Sequence, residues 1–183
     1  VYNGKAIVNS VNGEEKSLQT ILPLVKRYGA AVVGLTLDEN GIPKTAAERF
    51  AIAEKIMNRA TAMGIPKQDI YIDCLTLTAS AEQAGVMETV KALSRVKNEL
   101  GLKTVLGVSN ISFGLPNREL INSNFLQMCL SHGLDLPIIN PNIAAMTGAV
   151  RAYKLLANID ENASEFISAY NSSVSPAPAA SAQ

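Results

Sequence analysis

Tryptophan is absent from this 183-residue chain, histidine occurs once and cysteine twice. With a single His132, and with Cys74 and Cys129 far apart, neither a spaced zinc signature nor a disulfide framework can be assembled, so no metal site is expected. An excess of either charge is also missing, since 16 Lys and Arg balance 16 Asp and Glu. Without a basic patch, nucleic acid and anionic membranes are not expected as partners. No apolar run approaches the ~18 residues of a membrane helix, and the opening "VYNGKAIVNS" lacks the charged-then-apolar order of a signal peptide. The expected location is therefore cytoplasmic. Val1 in place of an initiator Met sets the expectation of a piece of a longer chain. The Gly-x-Ser-x-Gly elbow, the P-loop and Gly-x-Gly-x-x-Gly are all missing.

What is present is a globular composition, 48% hydrophobic and 17% charged, at a length that fits one domain. Five short apolar runs are rich in β-branched residues and bounded by turn formers: 5–10, 30–37, 69–77, 104–110 and 136–141. They read as buried strands. Between them lie segments of helical period. Thr45-Ala-Ala-Glu48 is a capping-box sequence opening a helix over 46–63, with Phe50, Ala53, Met57 and Ala60 on one face. Leu22, Val25 and Tyr28 precede Gly29, with Pro23 expected in that helix's first turn or at a kink. Val86, Val90, Leu93 and Leu100 precede Gly101, and Leu126 to Leu130 precede Gly133. Helices are expected again over 143–157 and 161–170.

The pattern is βα repeated five times, which predicts an α/β fold with a parallel sheet and crossover helices. By length a complete five-stranded doubly wound sheet fits, whereas an eight-stranded barrel takes about 250 residues. The domain is expected over 1–170, and the Pro/Ala/Ser-rich 171–183 reads as a linker or disordered tail.

Polar side chains collect where the strands should end: Asn9, then Thr36 and Asp38, Asp73, Ser109 with Asn110, and Asn140. The carboxyl ends of parallel strands form the binding face of both architectures. Each residue alone is accounted for equally well by a turn or a helix cap. Asp73 is the sharpest, because a carboxylate between Ile72 and Cys74 is costly to bury without a partner. A carboxylate among amides suits a ligand with adjacent N–H donors, since the acid accepts two bonds while each amide donates and accepts. His132 reads as a helix-end residue, and Lys44 and Arg118 as solvated surface.

These residues carry a resemblance. "GVSNISFGLPNRELINSNFL" resembles the strand-seven segment of the pterin-binding methyltransferases, the family of methionine synthase folate domains and methyltetrahydrofolate:corrinoid methyltransferases. "IVNSVNGE", "VVGLTLDENGIPKTAAER", "IYIDCLTL" and "LPIINPN" resemble its strands four, five, six and eight. The resemblance implies a TIM (β/α)8 barrel of the dihydropteroate-synthase-like type, present as its last five βα units, so that truncation replaces the open sheet as the account of the length. A third-strand Asp of the family has no counterpart here.

By the same resemblance, Asn9 and Asp73 bind the pterin and Asn110 is the catalytic amide beside the methyl-bearing nitrogen, with Ser109 and Asn140 as further substrate contacts. The implied reaction moves a methyl group from 5-methyltetrahydrofolate to cob(I)alamin carried on another domain or protein, as part of methionine synthesis. A homocysteine-binding module, with its zinc, would be separate. The alternatives left open are a free-standing corrinoid-protein methyltransferase and a non-catalytic pterin-binding or scaffold piece. Ser109-Asn110, where dihydropteroate synthases carry Ser-Arg, argues against those enzymes.

Overall fold

Five parallel strands pair in chain order: β1 (Ile7–Asn12), β2 (Ala31–Leu35), β3 (Ile70–Asp73), β4 (Lys103–Gly107) and β5 (Leu136–Ile138). The computed structural model describes residues 3–171, so from residue 172 onward the expected Pro/Ala/Ser-rich linker lies outside the described residues. The helices are α1 (Glu15–Tyr28), α2 (Ala46–Ala62), α3 (Gly85–Arg95), α4 (Arg118–Ser131), α5 (Ala144–Leu156) and α6 (Ser164–Tyr170). A wider, π-type turn carries α3 on through Leu100. None of these helices is long and apolar enough to cross a membrane.

A doubly wound sheet reverses its strand order partway, and its helices then cover both faces. Here the order never reverses, so right-handed crossovers place the helices on one face. Burial agrees with this. Val11, Val32, Ile70, Ile72 and Leu106 join the helix side chains in one core. The register pairs Asn9 with Val33, Val33 with Tyr71, Asp73 with Val105 and Gly107 with Ile138, and these residues share the opposite face. The sheet is five βα units of a barrel, which corrects the length-based expectation of a complete doubly wound sheet.

Several boundaries differ from expectation. The third run, expected over 69–77, is strand only to Asp73, because Leu75 takes a left-handed conformation (φ 60°) that ends the ladder. The second stops at Leu35 and the fifth at Ile138. The fourth stops at Gly107 and tightens into a 3-10 turn over Val108–Ser112. The first extends to Asn12, so Asn9 lies within β1 rather than at its end, next to a register shift and a cis Asn9–Ser10 peptide.

The α2 capping box forms as expected, with Glu48 N donating to Thr45 Oγ1 (3.3 Å) and Thr45 N donating to Glu48 Oε2 (3.2 Å). Its buried stripe is turned from the expected one. Arg49, Ile52, Ala53, Ile56, Met57 and Ala60 face the core, while Phe50 is half-buried with the Arg95 guanidinium 4.1 Å from its ring centroid. In α1 the core side chains are Leu18, Leu22 and Val25. Tyr28 is 74% exposed instead of buried, and Pro23 sits well inside the helix rather than in its first turn. Gly29 ends α1 in the left-handed region (φ 61°), the role anticipated for it.

Among the described residues β1 and β5 are unpaired edges, and on them Ile7 (48%), Leu136 (40%) and Ile138 (51%) stay exposed. Open edges with apolar flanks template further pairing. The 183-residue chain by itself is expected to self-associate in sedimentation velocity at micromolar concentration. A single monomeric boundary across a hundredfold concentration range would contradict this.

Candidate functional site

Alternation along β3 decides where its carboxylate goes. Ile70 and Ile72 are buried against the helices, so Tyr71 and Asp73 point to the opposite, concave face. Asp73 Oδ1 accepts a hydrogen bond from Leu75 N at 2.8 Å, and among the described residues no cation pairs with the carboxylate. Burial pushes its pKa up to about 6, against the smaller downward pull of the Leu75 N–H. The carbonyl of Asp73 accepts from Thr36 N and Thr36 Oγ1, each at 3.1 Å.

That last pair corrects one expectation. Thr36 is fully buried and its hydroxyl serves the backbone, so it offers nothing to a ligand. Asp38 closes its own turn instead of facing the sheet, accepting from Asn40 N at 2.9 Å and exchanging backbone bonds with Gly41. A cleft of about 660 Å³ lies beside this turn, lined by Asp38, Ile42, Lys44, Glu48 and Ile52 among others. It lies between the β2–α2 loop and α2.

Asn9 and Asn110 carry exposed amides that make no hydrogen bond among the described residues. Asn9 shares the concave face with Asp73, through the pairing of Asn9 with Val33 and of Leu35 with Asp73. Asn110 reaches the same side from the turn after β4, because a Cβ built on Gly107 would lie 3.6 Å from Asn110 Nδ2. The concave face thus brings together Asn9, Asp73 and Asn110.

Ser109 and Asn140 lie elsewhere. They border a side cleft of about 250 Å³ with Arg118, Asn122 and Met146. Asn140 Oδ1 accepts from Asn142 N at 3.0 Å, the turn role open to any such Asn. Arg118 is not simply solvated, since its Nε donates to Ser112 Oγ (2.9 Å) and its Nη2 to the Ser109 carbonyl (3.0 Å). Asn122 is buried with Oδ1 unpaired among the described residues.

Sequence reasoning missed Arg49. It is fully buried, and its guanidinium spans the loops that flank Asp73. One signal was available, because 49, 53, 56 and 60 form a helical stripe and a cation on an apolar stripe is costly.

The remaining reactive groups are structural. Burial pushes the Cys74 thiol far up and the Cys129 thiol up to about 12, so both stay protonated. His132 Nδ1 lies 2.8 Å from the Met128 carbonyl at the end of α4, the end remote from Asn110. Among the described residues no three His, Cys, Asp or Glu side chains converge on a metal position. The concave face offers an acceptor pair and two amides that can either donate or accept. That set suits a flat heterocycle with adjacent N–H donors and ring-nitrogen acceptors.

The model of the family described as pterin binding enzyme matches residues 1–140. The methionine synthase of Mycobacterium leprae (strain TN) is 39% identical over 150 residues, 75% of this chain and 12% of that protein. That of Mycobacterium tuberculosis (strain ATCC 25618 / H37Rv) is also 39% identical over 150 residues, covering 13% of its length. The methylcorrinoid:tetrahydrofolate methyltransferase of Eubacterium limosum is 27% identical over 169 residues, 90% of this chain and 62% of that protein. The chain therefore spans about an eighth of the methionine synthases it matches. With its barrel-type sheet and the polar groups at the strand ends, the chain belongs to the pterin-binding enzyme family.

Proposed function

We propose that this chain is the pterin-holding part of a methyltransferase that moves a methyl group from 5-methyltetrahydrofolate to cob(I)alamin in methionine synthesis. The observation that carries this reading is the meeting of Asp73, Asn9 and Asn110 on one concave face, each with hydrogen-bonding capacity unspent. Similarity to two methionine synthases supports it.

In this reading Asp73 accepts from the pterin amino group and the adjacent ring N–H. Asn9 bonds the ring edge, and Asn110 sits beside N5, the nitrogen that carries the methyl group. Transfer breaks the N5–CH3 bond and leaves its electron pair on nitrogen. The amine must therefore be protonated or otherwise stabilised as it departs. Asn110 can turn either end of its amide toward N5, accepting from N5–H in one state and donating to the lone pair in the other. The corrinoid is the methyl acceptor and is carried on another domain or protein. His132, the chain's single histidine, lies at the far end of α4 and does not reach the concave face. A zinc-dependent homocysteine module would likewise be separate.

Similarity to a methylcorrinoid:tetrahydrofolate methyltransferase over 90% of the chain supports a second reading, a methyltransferase acting on a separate corrinoid protein. The residues would act alike in either direction. A scaffold that only holds a pterin is separated from both by folate titration and then single-turnover transfer to cob(I)alamin on the full-length protein. Binding without transfer favours the scaffold.

Two outcomes follow for that protein. Asn110→Ala is expected to slow single-turnover methyl transfer by about 10²- to 10³-fold while changing folate affinity by less than about tenfold; an unchanged transfer rate would remove Asn110 from the chemistry. The second concerns pH. With the pKa of Asp73 near 6, its ionised, accepting form is depleted below that value, so folate affinity should fall about tenfold per pH unit there. Asp73→Asn should weaken binding at neutral pH and flatten this acid limb.

The same shift has a sign for stability. Folded Asp73 binds a proton more tightly than the unfolded group at 3.8, so its ionisation opposes folding fully above about pH 6 and not at all below pH 3.8. Asp73→Asn should therefore stabilise the fold by roughly 1–3 kcal/mol at pH 8 and by little near pH 4, measured by urea unfolding.

A further inference from the structure

Arg49 is fully buried on α2, and among the described residues no carboxylate pairs with it. Its Nε donates to the Pro43 carbonyl at 2.9 Å. Its Nη1 lies 3.0 Å from the Cys74 carbonyl, 3.1 Å from the Leu75 carbonyl and 2.7 Å from Thr89 Oγ1, so two hydrogens are shared among three acceptors. Among the described residues Nη2 has no partner, and burial lowers the pKa of the guanidinium. A cation held only by carbonyls and a hydroxyl is an expensive way to fill a core. Its carbonyl acceptors all belong to the segments that precede α2 and follow β3.

Those segments include the residue that holds Asp73. Leu75 is left-handed (φ 60°), a conformation in which a bulky side chain persists only where its surroundings over-determine it. Its carbonyl is gripped by Arg49 and lies 3.1 Å from the Thr89 hydroxyl, while its N–H donates to Asp73 Oδ1 at 2.8 Å. One peptide unit away from the core cation, the candidate ligand-binding carboxylate is oriented.

We propose that Arg49 is a positioning residue: from inside the core, with Thr89, it locks the turn after β3 so that the Leu75 N–H, using one lone pair of Oδ1, fixes the Asp73 carboxylate in the orientation that meets the pterin. This rests on the pterin reading of the concave face. It assigns Arg49 no contact with ligand, so its effect must pass through Asp73.

The test is a double-mutant cycle on the full-length protein, read as the dissociation constant for 5-methyltetrahydrofolate. Arg49→Met is expected to weaken binding ~10-fold, Thr89→Val by less, and Arg49→Lys to recover part of the loss. In an Asp73→Asn background the same changes should cost less than about twofold, because the group they orient is already disabled. Equal losses in both backgrounds, or no loss beside wild-type Asp73, would overturn the proposal. Should Arg49→Met not fold, Thr89→Val closes the cycle, since it keeps the side-chain shape and removes only the hydroxyl. Failure of the pterin reading is distinguishable, because Asp73→Asn alone would then leave folate affinity unchanged.

Discussion

The alternation of side chains along β3 governs the rest of the molecule. Ile70 and Ile72 are fully buried beneath the helices, each stabilising the fold by about 1.5–3 kcal/mol, and a slip of one residue would exchange them with Tyr71 and Asp73. That exchange would bury a carboxylate and expose two isoleucines, so the register has no close competitor. Asp73 therefore stands on the concave face because its neighbours cannot. The strand then stops there, where Leu75 turns left-handed and its N–H doubles back onto the carboxylate. Chain-ordered parallel pairing adds the remaining condition, since it sets β4 beside that carboxylate's strand and β1 two strands away on one continuous sheet.

The costs in this structure gather around the same turn. Asp73 is held partly desolvated, Leu75 is in a conformation leucine disfavours, and Arg49 is a buried cation with one nitrogen unpaired. Away from it the core is mostly apolar, built from Leu18, Leu22, Ile56, Val90, Leu93, Leu126 and their neighbours. Polar and strained groups that oppose folding are tolerated where a larger apolar core offsets them, and sites are where they concentrate. The side cleft holding Ser109 and Asn140 has a smaller version of this pattern in the buried Asn122, whose Oδ1 is unpaired among the described residues.

Much of the fold was legible in the sequence, because strand cores, the Thr45–Glu48 capping box and the glycine after α1 each follow from local chemistry. The open sheet inferred from length was not correct, since length counts strands without revealing whether their order reverses. Thr36 looked like a site residue by position, yet parity and a backbone bond took it inward. Phe50 and Tyr28 were expected in the core by hydrophobicity, yet Phe50 is only half-buried against it and Tyr28 is exposed, while Arg49, for which no role was read, is buried on the stripe that also carries 53, 56 and 60. Asp73 and Asn110 were found as strand-end anomalies. Their shared face required the register.

The most direct measurement is a crystal structure of the full-length protein with 5-methyltetrahydrofolate bound. The expected result is a pterin lying on the concave face, its amino group and adjacent ring N–H on the Asp73 carboxylate and its N5 within hydrogen-bond reach of the Asn110 amide. A pterin seated instead in the cleft between the β2–α2 loop and α2, with Asp73 and Asn110 unengaged, would contradict the assignment of the concave face as the folate site.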